Sequence, residues 1–464
     1  MIINKLQNIF FIGIGGIGMS GIAEVLHEMG FGVSGSDISN NSNTNRLENL
    51  GIKIKIGHSI SNVKRSELVV YSSAIRKNNC ELVEAKKLKI PILSRANMLA
   101  EIMRLKSSIT IAGSHGKTTT TSLMACIMEN SNFDPTVING GIINSYNTNA
   151  KLGKGNWVIA EADESDGSFT LLPSTVCVIN NIDPEHLDFY KNFTNLKNAF
   201  LEYAKKTPFY GFVAVCIDDP NCKKLIKKLN EKKVITYGLS KEADISCKNK
   251  TIKKLKTKFF SCFDVIINLK KKREIKNIKI PLIGDHNVCN TLATITVAIN
   301  LGLSNKEIRS SLAKFKGVKR RFTLICETKG IKVFDDYAHH PKEIVATLSA
   351  LKKITSGRII AIHEPHRYSR LNDLFNDFTK SFNLADKVFF LPVFPAGEKP
   401  IKNISSNFLL KSIKKNRGNY SYVDNEISLH NALVKIIKKN DCVIFLGAGP
   451  ISKLAYSFAR KIHS

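Results

Sequence analysis

A short glycine-rich segment carries a lysine and two threonines that could bind the phosphates of a nucleotide. The segment consists of Gly113, Ser114, His115, Gly116, Lys117, Thr118 and Thr119. Backbone N–H groups of such a loop and the Lys117 ammonium can surround phosphate oxygens, and the Thr118 hydroxyl can bind Mg²⁺. The standard phosphate-binding loop has a glycine five residues before its Gly-Lys pair, where this chain has Ile111. The alternative is a chance Gly-Lys-Thr turn without a ligand.

Acidic residues and a histidine follow two apolar runs in the same part of the chain. Directly after residues 157–160 come Glu161, Asp163, Glu164 and Asp166. Carboxylates at the carboxyl end of a strand beside a phosphate-binding loop are suitable ligands for Mg²⁺. His186 follows a second apolar run and lies beside acids, which favours a metal or phosphate role over a purely structural one. The acids around Pro184 could instead cap the start of a helix at that proline.

An earlier glycine-rich turn could hold a diphosphate. Directly after the apolar residues 9–12 it contains Gly13, Gly15, Gly16 and Gly18. Because glycine has no side chain, the backbone can approach a diphosphate closely, and the following helix N-terminus presents free N–H groups. Asp37 ends a predicted second strand, where a carboxylate can bind a ribose hydroxyl. This pattern alone favours a nucleotide, with NAD as the default; a glycine turn needed only for helix–strand packing is the alternative.

Two further segments supply cations and hydrogen-bond donors. The first follows the apolar residues 331–334 and contains Asp335, Asp336, Tyr337, His339 and His340. The second follows residues 358–363 and contains His366, Arg367, Tyr368 and Arg370. Two arginines three positions apart on one helix face, close to histidine and tyrosine donors, are suited to an anionic group. A solvated helix end is the alternative.

The elements that must position these residues repeat one pattern three times: an apolar strand, a polar or glycine-rich turn, and a helix. Further apolar runs follow each repeat, so we predict three α/β domains with boundaries near residues 106 and 318. The Lys-rich residues 253–279 mix with apolar residues near their end and predict a surface β-excursion on the middle domain. A nucleic-acid groove is less consistent with this stretch because few aromatic or Arg residues are interleaved.

The composition limits the class of protein. The 464 residues are 43% hydrophobic and 23% charged, which favours a folded chain over a disordered one. The net charge of +30 leaves open a nucleic-acid, membrane or anionic-substrate partner, or simply a Lys-rich surface. No apolar run reaches the ~18 residues that span a bilayer, and no secretory signal is apparent. The ten cysteines form no C-x-x-C pair, which is typical of reduced thiols in a cytoplasm rather than of a disulfide framework or a zinc site.

Taken together, these motifs resemble those of the Mur ligases, the ATP-dependent enzymes that build the peptide stem of peptidoglycan. The resemblance covers nearly the whole chain, and the shortened phosphate loop is this family's own form. It implies an α/β fold of three domains. These are a Rossmann-like domain at 1–106 for a UDP-sugar, a central P-loop ATPase-like domain with a parallel sheet and a β-excursion at 107–318 for ATP, and a Rossmann-like domain at 319–464 for an amino acid.

The resemblance also implies roles for individual residues. The UDP-sugar would be bound by Gly15, Gly16, Gly18, Asp37, Ser72, Ser73 and Tyr337. ATP would be bound by Gly113, Ser114, His115, Gly116, Lys117, Thr118, Thr119, His286, Asn287, Asn290 and Arg321. Thr118 would bind one Mg²⁺, and Glu161 and His186 would bind a second. The catalytic residues would be Lys117, His186, His339, Arg367 and Arg370.

Within the family, the motifs are most similar to those of the ligase that adds the first residue of the stem. The implied reaction activates the lactoyl carboxylate of UDP-N-acetylmuramate with ATP as an acyl phosphate, which the amine of L-alanine attacks. The implied enzyme is cytoplasmic and a monomer or weak dimer, with no nucleic-acid partner and no membrane insertion. Because the motifs are spread over three domains, we also expect closure of the C-terminal domain to exclude water. Phe200 stands near the place where later-acting ligases have a carbamoylated lysine, whereas Lys342 and Glu364 depart from the residues common in the family.

Three other functions compete with this interpretation. An NAD-dependent oxidoreductase would explain the glycines at 13–18 and Asp37, but not Lys117 or Glu161. A basic, ATP-driven nucleic-acid protein would explain the charge and the phosphate loop, and it predicts ATP turnover that DNA or RNA stimulates and salt weakens. A sister ligase that attaches a recycled tripeptide to the same sugar is the closest alternative, and the residues at 164–166 and 367–370 argue against it.

Overall fold

The computed structural model describes residues 7–255, 258–269, 272–413 and 419–463, and it has the expected α/β architecture with three sheets. The first sheet has five parallel strands: β1 (Ile9–Ile12), β2 (Val33–Asp37), β3 (Lys53–Ile56), β4 (Leu68–Tyr71) and β5 (Ile92–Ser94). Their order across the sheet is β3-β2-β1-β4-β5. Strand β1 is central and fully buried, so the turn that follows it lies in the middle of the carboxyl edge, where parallel sheets bind ligands.

Four helices accompany this sheet: α1 (Ile17–Glu28), α2 (Ser42–Asn49), α3 (Cys80–Lys87) and α4 (Arg95–Arg104). Local sequence signals begin three of them, because Asn41, Asn79 and Ser94 each accept hydrogen bonds from N–H groups in the first turn. Helix α1 differs, since its N-cap is Gly16, which has no side chain to accept such a bond.

The second sheet has ten strands. They are β6 (Ser107–Ala112), β7 (Thr136–Ile143), β8 (Thr148–Lys151), β9 (Trp157–Glu161), β10 (Val176–Ile179), β11 (Phe212–Cys216), β12 (Val234–Tyr237), β13 (Ile245–Leu255), β14 (Lys258–Asn268) and β15 (Lys272–Ile280). Their order is β15-β14-β13-β12-β11-β10-β6-β9-β7-β8. Strand β6 pairs in parallel with β9 on one side and β10 on the other, so the carboxyl ends of these three strands meet. The Lys-rich strands β13 to β15 are the expected β-excursion.

Six helices follow in this part of the chain: α5 (Lys117–Glu129), α6 (Leu187–Tyr190), α7 (Phe193–Lys205), α8 (Pro220–Ile226), α9 (Asp285–Asn300) and α10 (Asn305–Ala313). The alternative of a helix start at Pro184 does not hold, because no helix begins at that residue. His186 has a φ of 55°, in the left-handed region that a right-handed helix cannot contain. Helix α6 therefore begins after it, at Leu187.

The third sheet has six strands: β16 (Thr323–Thr328), β17 (Ile331–Asp336), β18 (Ile359–His363), β19 (Lys387–Phe390), β20 (Tyr420–Tyr422) and β21 (Cys442–Leu446). Their order is β16-β17-β21-β18-β19-β20, and among the described strands of this sheet only β16 is antiparallel to its neighbour. The accompanying helices are α11 (Pro341–Lys352), α12 (Tyr368–Asp373), α13 (Phe375–Phe378), α14 (Ser406–Ser412), α15 (Glu426–Ile436) and α16 (Ile451–His463). Strands β17 and β18 flank β21, and the segments rich in histidine and arginine follow their carboxyl ends.

The chain divides into two compact units. One contains the described residues of Met1–Thr251, Cys262–Ile280 and Cys289–Lys316, and the other contains those of Ile252–Ser261, Pro281–Val288 and Gly317–Ser464. In the first unit, one apolar core continues from the first sheet into the second. The boundary predicted near residue 106 thus lies between two sheets of one unit. Among the described residues, no helix is long and apolar enough to cross a membrane.

Candidate active site

The phosphate loop predicted at residues 113–119 connects the buried strand β6 to helix α5. Gly116 is the N-cap of α5 and has a φ of 81°, a conformation that favours glycine. A Cβ atom at this position would lie 2.5 Å from Oδ1 of Asn290. Both the backbone conformation and the available space therefore require glycine here. No side chain caps α5, so its first N–H groups are available to an anion.

Residues that follow β10 hold the phosphate loop in place. The backbone N–H groups of Ser114 and His115 donate to the carbonyl oxygen and Oδ1 of Asn181, at 3.2 and 2.7 Å. The Ser114 hydroxyl in turn accepts a hydrogen bond of 2.9 Å from the backbone N–H of Asp183. Asn181 and Asp183 could not be assigned to the loop from the sequence, because only the pairing of β6 with β10 brings them to it.

Lys117 forms a buried ion pair that fixes its side chain at the loop. Its Nζ lies 2.8 Å from Oε2 and 3.0 Å from Oε1 of Glu164, and it also donates to the carbonyl oxygen of Gly113 at 2.7 Å. Burial by itself lowers the pKa of Lys117, but the nearby charges of Glu164, Asp163 and Glu161 outweigh burial and raise it above its ordinary value. The lysine is therefore a fixed cation at the place where phosphates are expected.

Thr118 and Glu161, two of the three residues expected to bind Mg²⁺, are in contact. The Thr118 hydroxyl donates to Oε2 of Glu161 at 2.9 Å, and the backbone N–H of Gly140 donates to the same oxygen at 2.9 Å. Glu161 is the last residue of β9, beside β6 in the sheet. A hydroxyl and a carboxylate are the oxygen ligands that Mg²⁺ prefers, so these residues fit the ion.

His186, the third expected ligand, joins two acids. Its Nε2 lies 4.0 Å from Oε1 of Glu164, and one ligand atom from each of His186, Glu164 and Glu185 lies within 4.8 Å of the others. Glu164 and Glu185 are buried. The left-handed backbone of His186 is a strained conformation that persists only where the surroundings fix it. This group is a second place where a divalent cation could be held, and Glu185 was not predicted.

In the N-terminal glycine loop, Asp37 binds the loop itself. Its Oδ2 accepts a hydrogen bond of 2.8 Å from the backbone N–H of Gly15, and the carboxylate is buried. A Cβ on Gly15 would lie 2.6 Å from Nδ2 of Asn41, so close packing explains why this position has a glycine. A Cβ on Gly16 would meet nothing closer than 3.5 Å. Packing therefore does not require glycine at position 16, and the open space there is compatible with the close approach of a ligand.

Arg95 links this glycine loop to the acidic segment and was missed by the sequence analysis. It begins helix α4, and its Nη1 would lie 2.8 Å from a Cβ placed on Gly18. Its Nη2 lies 3.6 Å from Asp163 and 3.9 Å from Asp166. A cation therefore lies at the first turn of α1. Arg95 lies outside every motif, so the sequence offered no signal for it.

The two expected serines lie after β4, next to the glycine loop. Ser72 is half-buried, and its Cβ would lie 3.3 Å from a Cβ on Gly13. Its hydroxyl accepts a hydrogen bond of 3.3 Å from the backbone N–H of Ala74. Ser73 is exposed. Ser72 is thus packed against the turn, whereas Ser73 faces solvent beyond it.

In the second unit, Tyr337 brings several expected residues together. The guanidinium groups of Arg320 and Arg321 each lie 5.0 Å from the centre of its ring, and the ring of His339 lies 5.3 Å away. Nδ1 of His339 lies 2.9 Å from the carbonyl oxygen of Tyr337. Asp336 organises the start of this segment by accepting from the backbone N–H groups of Phe322 and Ala338, at 2.6 and 2.8 Å. Burial raises the pKa of Asp336 to about 6.

The expected arginines of the second unit surround a histidine. Nη1 of Arg370 lies 3.4 Å from Nδ1 of His366, whose ring is 5.8 Å from that of His339. Burial lowers the pKa of His366 to about 4, with further lowering by Arg370 and Arg367. Arg367 has a φ of 70° and lies 3.8 Å from Glu398. The structure therefore groups a neutral imidazole with two permanent cations.

The expected nucleotide residues of helix α9 and the next segment divide between the two units. Asn290 belongs to the first unit, where it adjoins Gly116. His286, Asn287 and Arg321 belong to the second. His286 is exposed, whereas Asn287 is buried and donates from Nδ2 to the carbonyl oxygen of Ile283 at 2.8 Å.

The structure defines the surroundings of Phe200 and of Lys342 and Glu364, the two residues that depart from the family pattern. Phe200 is fully buried in α7, with its ring 5.1 Å from that of Phe169, so an apolar core occupies this position. The backbone N–H of Lys342 donates to Nδ1 of His340 at the start of α11. Glu364 is buried, accepts a hydrogen bond of 3.4 Å from the backbone N–H of Ile451, and has its pKa raised by burial to about 7.

Comparisons with known proteins agree with this architecture over nearly the whole chain. Residues 8–107 match the profile of the Mur ligase family catalytic domain, residues 111–298 that of the Mur ligase middle domain, and residues 320–449 that of the Mur ligase glutamate ligase domain. The chain belongs to the Mur ligase family. This Mur ligase is 48% identical over 460 residues to the UDP-N-acetylmuramate–L-alanine ligase of Agrobacterium fabrum, covering 98% of this chain and 97% of the relative. It is 46% identical over 458 residues to the enzyme of the same name from Bartonella bacilliformis, covering 98% and 96%.

Solved structures of Mur ligases share the fold. The UDP-N-acetylmuramate–alanine ligase of Thermotoga maritima superposes with a TM-score of 0.80 at 30% identity, covering 98% of this chain and 99% of that one. A murein peptide ligase from Psychrobacter arcticus has a TM-score of 0.72 at 22% identity, covering 99% of each chain. The second likeness shows the fold alone.

Proposed function

We propose that this Mur ligase joins L-alanine to the lactoyl carboxylate of UDP-N-acetylmuramate, with conversion of ATP to ADP and phosphate, as a step of peptidoglycan precursor synthesis. The observation that carries the proposal is the 46–48% identity, over nearly the full length, to enzymes that bear this name. The buried Lys117–Glu164 pair at the phosphate loop supports ATP chemistry in this chain. We further propose three domains with boundaries near residues 106 and 318, and a cytoplasmic enzyme that is a monomer or weak dimer.

The first chemical step needs positioning and charge neutralisation. A carboxylate is a poor electrophile, so one of its oxygens must attack the γ-phosphorus of ATP, which forms an acyl phosphate and releases ADP. Such a transfer spreads negative charge over the γ-phosphoryl oxygens. We assign their stabilisation to the Lys117 ammonium, which Glu164 holds 2.8 Å away, and to the uncapped N–H groups of α5. These groups are fixed before the reaction, so they need not reorganise during it.

Divalent cations would be held by the two acidic groups of the first unit. The chemistry of the donors fits Mg²⁺: Thr118 and Glu161 offer a hydroxyl and a carboxylate, and Glu164, Glu185 and His186 offer two carboxylates and an imidazole. Bound Mg²⁺ would neutralise the phosphate oxygens of ATP. In the Thr118–Glu161 group, the backbone N–H of Gly140 donates to Oε2 of Glu161 and so fixes the orientation of this carboxylate.

The second step is the attack of the alanine amine on the acyl carbon. The new C–N bond forms a tetrahedral intermediate, from which phosphate departs with the former carboxylate oxygen, and the amine loses a proton. We propose that Arg367 and Arg370 bind the anionic groups of the substrates. His366 lies beside Arg370, and its lowered pKa keeps it neutral, so it does not add a further positive charge.

The UDP-sugar would bind at the first glycine loop. Helix α1 has an uncapped N-terminus at Gly16, and Arg95 lies against Gly18 in its first turn. Free N–H groups, a nearby cation and a glycine without a packing role are together suited to a diphosphate. Asp37 shapes this loop through Gly15.

Phosphate release from ATP tests the proposed reaction. The enzyme would be assayed with UDP-N-acetylmuramate and, in turn, L-alanine, glycine, L-serine or the recycled tripeptide. We expect release that requires the sugar and is fastest with L-alanine. Equal release without the sugar, or preference for the tripeptide, would contradict the proposal. Stimulation by DNA or RNA would instead support the nucleic-acid alternative.

A further inference from the structure

Two cysteines and an aspartate, far apart in sequence, converge at the end of strand β11. Cys216 is the last residue of the strand and is buried, Asp218 is exposed two residues later, and the half-buried Cys289 lies on α9. One ligand atom from each lies within 4.8 Å of the others. Sγ of Cys289 is 3.5 Å from Oδ2 of Asp218.

The carboxylate of this trio is already oriented by the backbone. Oδ2 of Asp218 accepts from the N–H of Leu239 at 2.6 Å, and Oδ1 accepts from the N–H of Ser240 at 3.0 Å. A Cβ on Gly238 would lie 2.6 Å from Oδ1, so the turn closes tightly around the carboxylate. Second contacts of this kind orient metal ligands. They also leave lone pairs of the carboxylate free, because each oxygen has more than one.

We propose that Cys216, Asp218 and Cys289 form a binding site for a thiophilic divalent cation of the Zn²⁺ class. Two thiolates and one carboxylate suit Zn²⁺ or Cd²⁺, and thiolates disfavour Mg²⁺. Ligand atoms of a tetrahedral site with Zn–S bonds of about 2.3 Å lie about 3.8 Å apart, which is compatible with the observed spacing. Three protein ligands leave a fourth position open, and the exposed Asp218 provides access from solvent.

The site would also be connected to the phosphate loop through one residue. Cys289 directly precedes Asn290, and Oδ1 of Asn290 is the atom nearest to a Cβ placed on Gly116. A cation at Cys289 would restrain this part of α9 beside the loop. We therefore expect Zn²⁺ to lower the rate of ATP turnover; this second expectation rests on the proposed function, whereas the binding of the cation does not.

Cadmium titration of the reduced, full-length enzyme tests the site directly. Cd²⁺ bound to thiolates has an ultraviolet charge-transfer absorption that carboxylate and imidazole ligands do not give, so the His186 group does not interfere. We expect the absorption to saturate at one Cd²⁺ per chain, to be lost in Cys289→Ser, and to require about tenfold or more Cd²⁺ in Asp218→Asn. Cys80→Ser, a change at an exposed cysteine elsewhere, should leave it intact.

Persistence of the absorption in Cys289→Ser, its loss in Cys80→Ser, or its absence from the unmodified enzyme would overturn the proposal. Because Cys216 is buried, the test relies on the variants at Cys289 and Asp218, each checked for an unchanged Tm without metal. The inhibition of ATP turnover by Zn²⁺ would be measured in the same variants. If cadmium binds as expected in an enzyme that does not turn over ATP, the site stands and the proposed function fails.

Discussion

Two glycine loops of the first unit share one local structure but differ in charge. The loop at residues 13–18 joins β1 to α1, and the loop at residues 113–117 joins β6 to α5. Each follows a buried strand, and each helix has an N-cap glycine without a side-chain cap, so both present free N–H groups. Only the second loop contains a lysine, which a buried glutamate holds in place.

This difference supports the two uses that we propose for one local structure. A diphosphate that is only bound needs room and N–H donors, which the first loop supplies. A phosphoryl group that is transferred needs a fixed charge whose contact strengthens as the transition state forms, and we assign this role to Lys117. We therefore expect changes in the second loop to lower kcat and changes in the first to raise the KM for the sugar.

Replacing Lys117 should have the largest effect. We expect Lys117→Ala to lower kcat by about 1,000-fold or more, because the variant lacks the fixed cation that we propose for the γ-phosphate. Binding of UDP-N-acetylmuramate, measured by calorimetry, should be unchanged. Removal of one partner from a buried ion pair costs about 3–5 kcal/mol, so binding must be measured well below the Tm of the variant. Lys154→Ala, at an exposed lysine, is the control. Loss of sugar binding in Lys117→Ala would show that binding of the sugar also depends on the second loop, which would contradict the proposed division of roles.

Replacing Glu164, the partner of Lys117, tests whether the position of the ammonium matters for kcat. Glu164→Gln keeps the shape of the side chain but removes the charge that positions the ammonium. We expect kcat to fall by about 100-fold, with the KM for the sugar unchanged, in steady-state assays of phosphate release. A variant with unchanged kcat would mean that the phosphate loop positions Lys117 without Glu164.

The first loop can be tested without a packing defect. Gly16→Ala adds one methyl group where nothing lies closer than 3.5 Å, and the backbone at Gly16 is one that alanine adopts readily, with a φ of −62°. We expect an unchanged Tm and a KM for UDP-N-acetylmuramate raised about tenfold, equivalent to about 1.4 kcal/mol of lost binding. Gly15→Ala is the contrasting variant, since it should lower the Tm by crowding Asn41. An unchanged KM in Gly16→Ala would show that the diphosphate does not bind at this loop.

Glu364 lies in neither loop. Its replacement should change the stability of the fold and should have the smallest effect on catalysis of the variants considered. Burial raises its pKa from the ordinary value of 4.5 to about 7, so the folded state binds the proton more tightly than the unfolded chain. Ionisation therefore destabilises the folded state increasingly as pH rises from about 4.5 to 7, by at most about 3 kcal/mol. We expect Glu364→Gln to raise the Tm at pH 8 and to change it little at pH 4.5. An equal change at both pH values would contradict this explanation.

Local sequence patterns predicted the loops, whereas long-range contacts could not be predicted. Both glycine loops follow from a strand, a turn and a helix that are adjacent in sequence. The partner of Lys117 was not assigned because Glu164 reaches it only through the pairing of β6 with β9. Arg95 reaches the acidic segment only because α4 packs in the same unit.

Two further features show the limit of local patterns. A helix start at Pro184 was left open as an alternative, but the left-handed backbone of His186 places the start at Leu187. The prediction of reduced thiols agrees with the free cysteines of the structure, but the sequence could not show that the position of α9 brings Cys289 to Asp218. Tertiary structure decides both features, and a single sequence does not reveal it.

Oxygen labelling tests the central claim that the second loop transfers the γ-phosphoryl group of ATP to a carboxylate. UDP-N-acetylmuramate labelled with ¹⁸O in both oxygens of its lactoyl carboxylate would be converted with ATP and L-alanine, and the released phosphate analysed by mass spectrometry. Because the acyl phosphate loses its phosphate together with one former carboxylate oxygen, we predict one ¹⁸O atom in each phosphate released. Unlabelled phosphate would mean that water attacks ATP directly, and it would contradict the account.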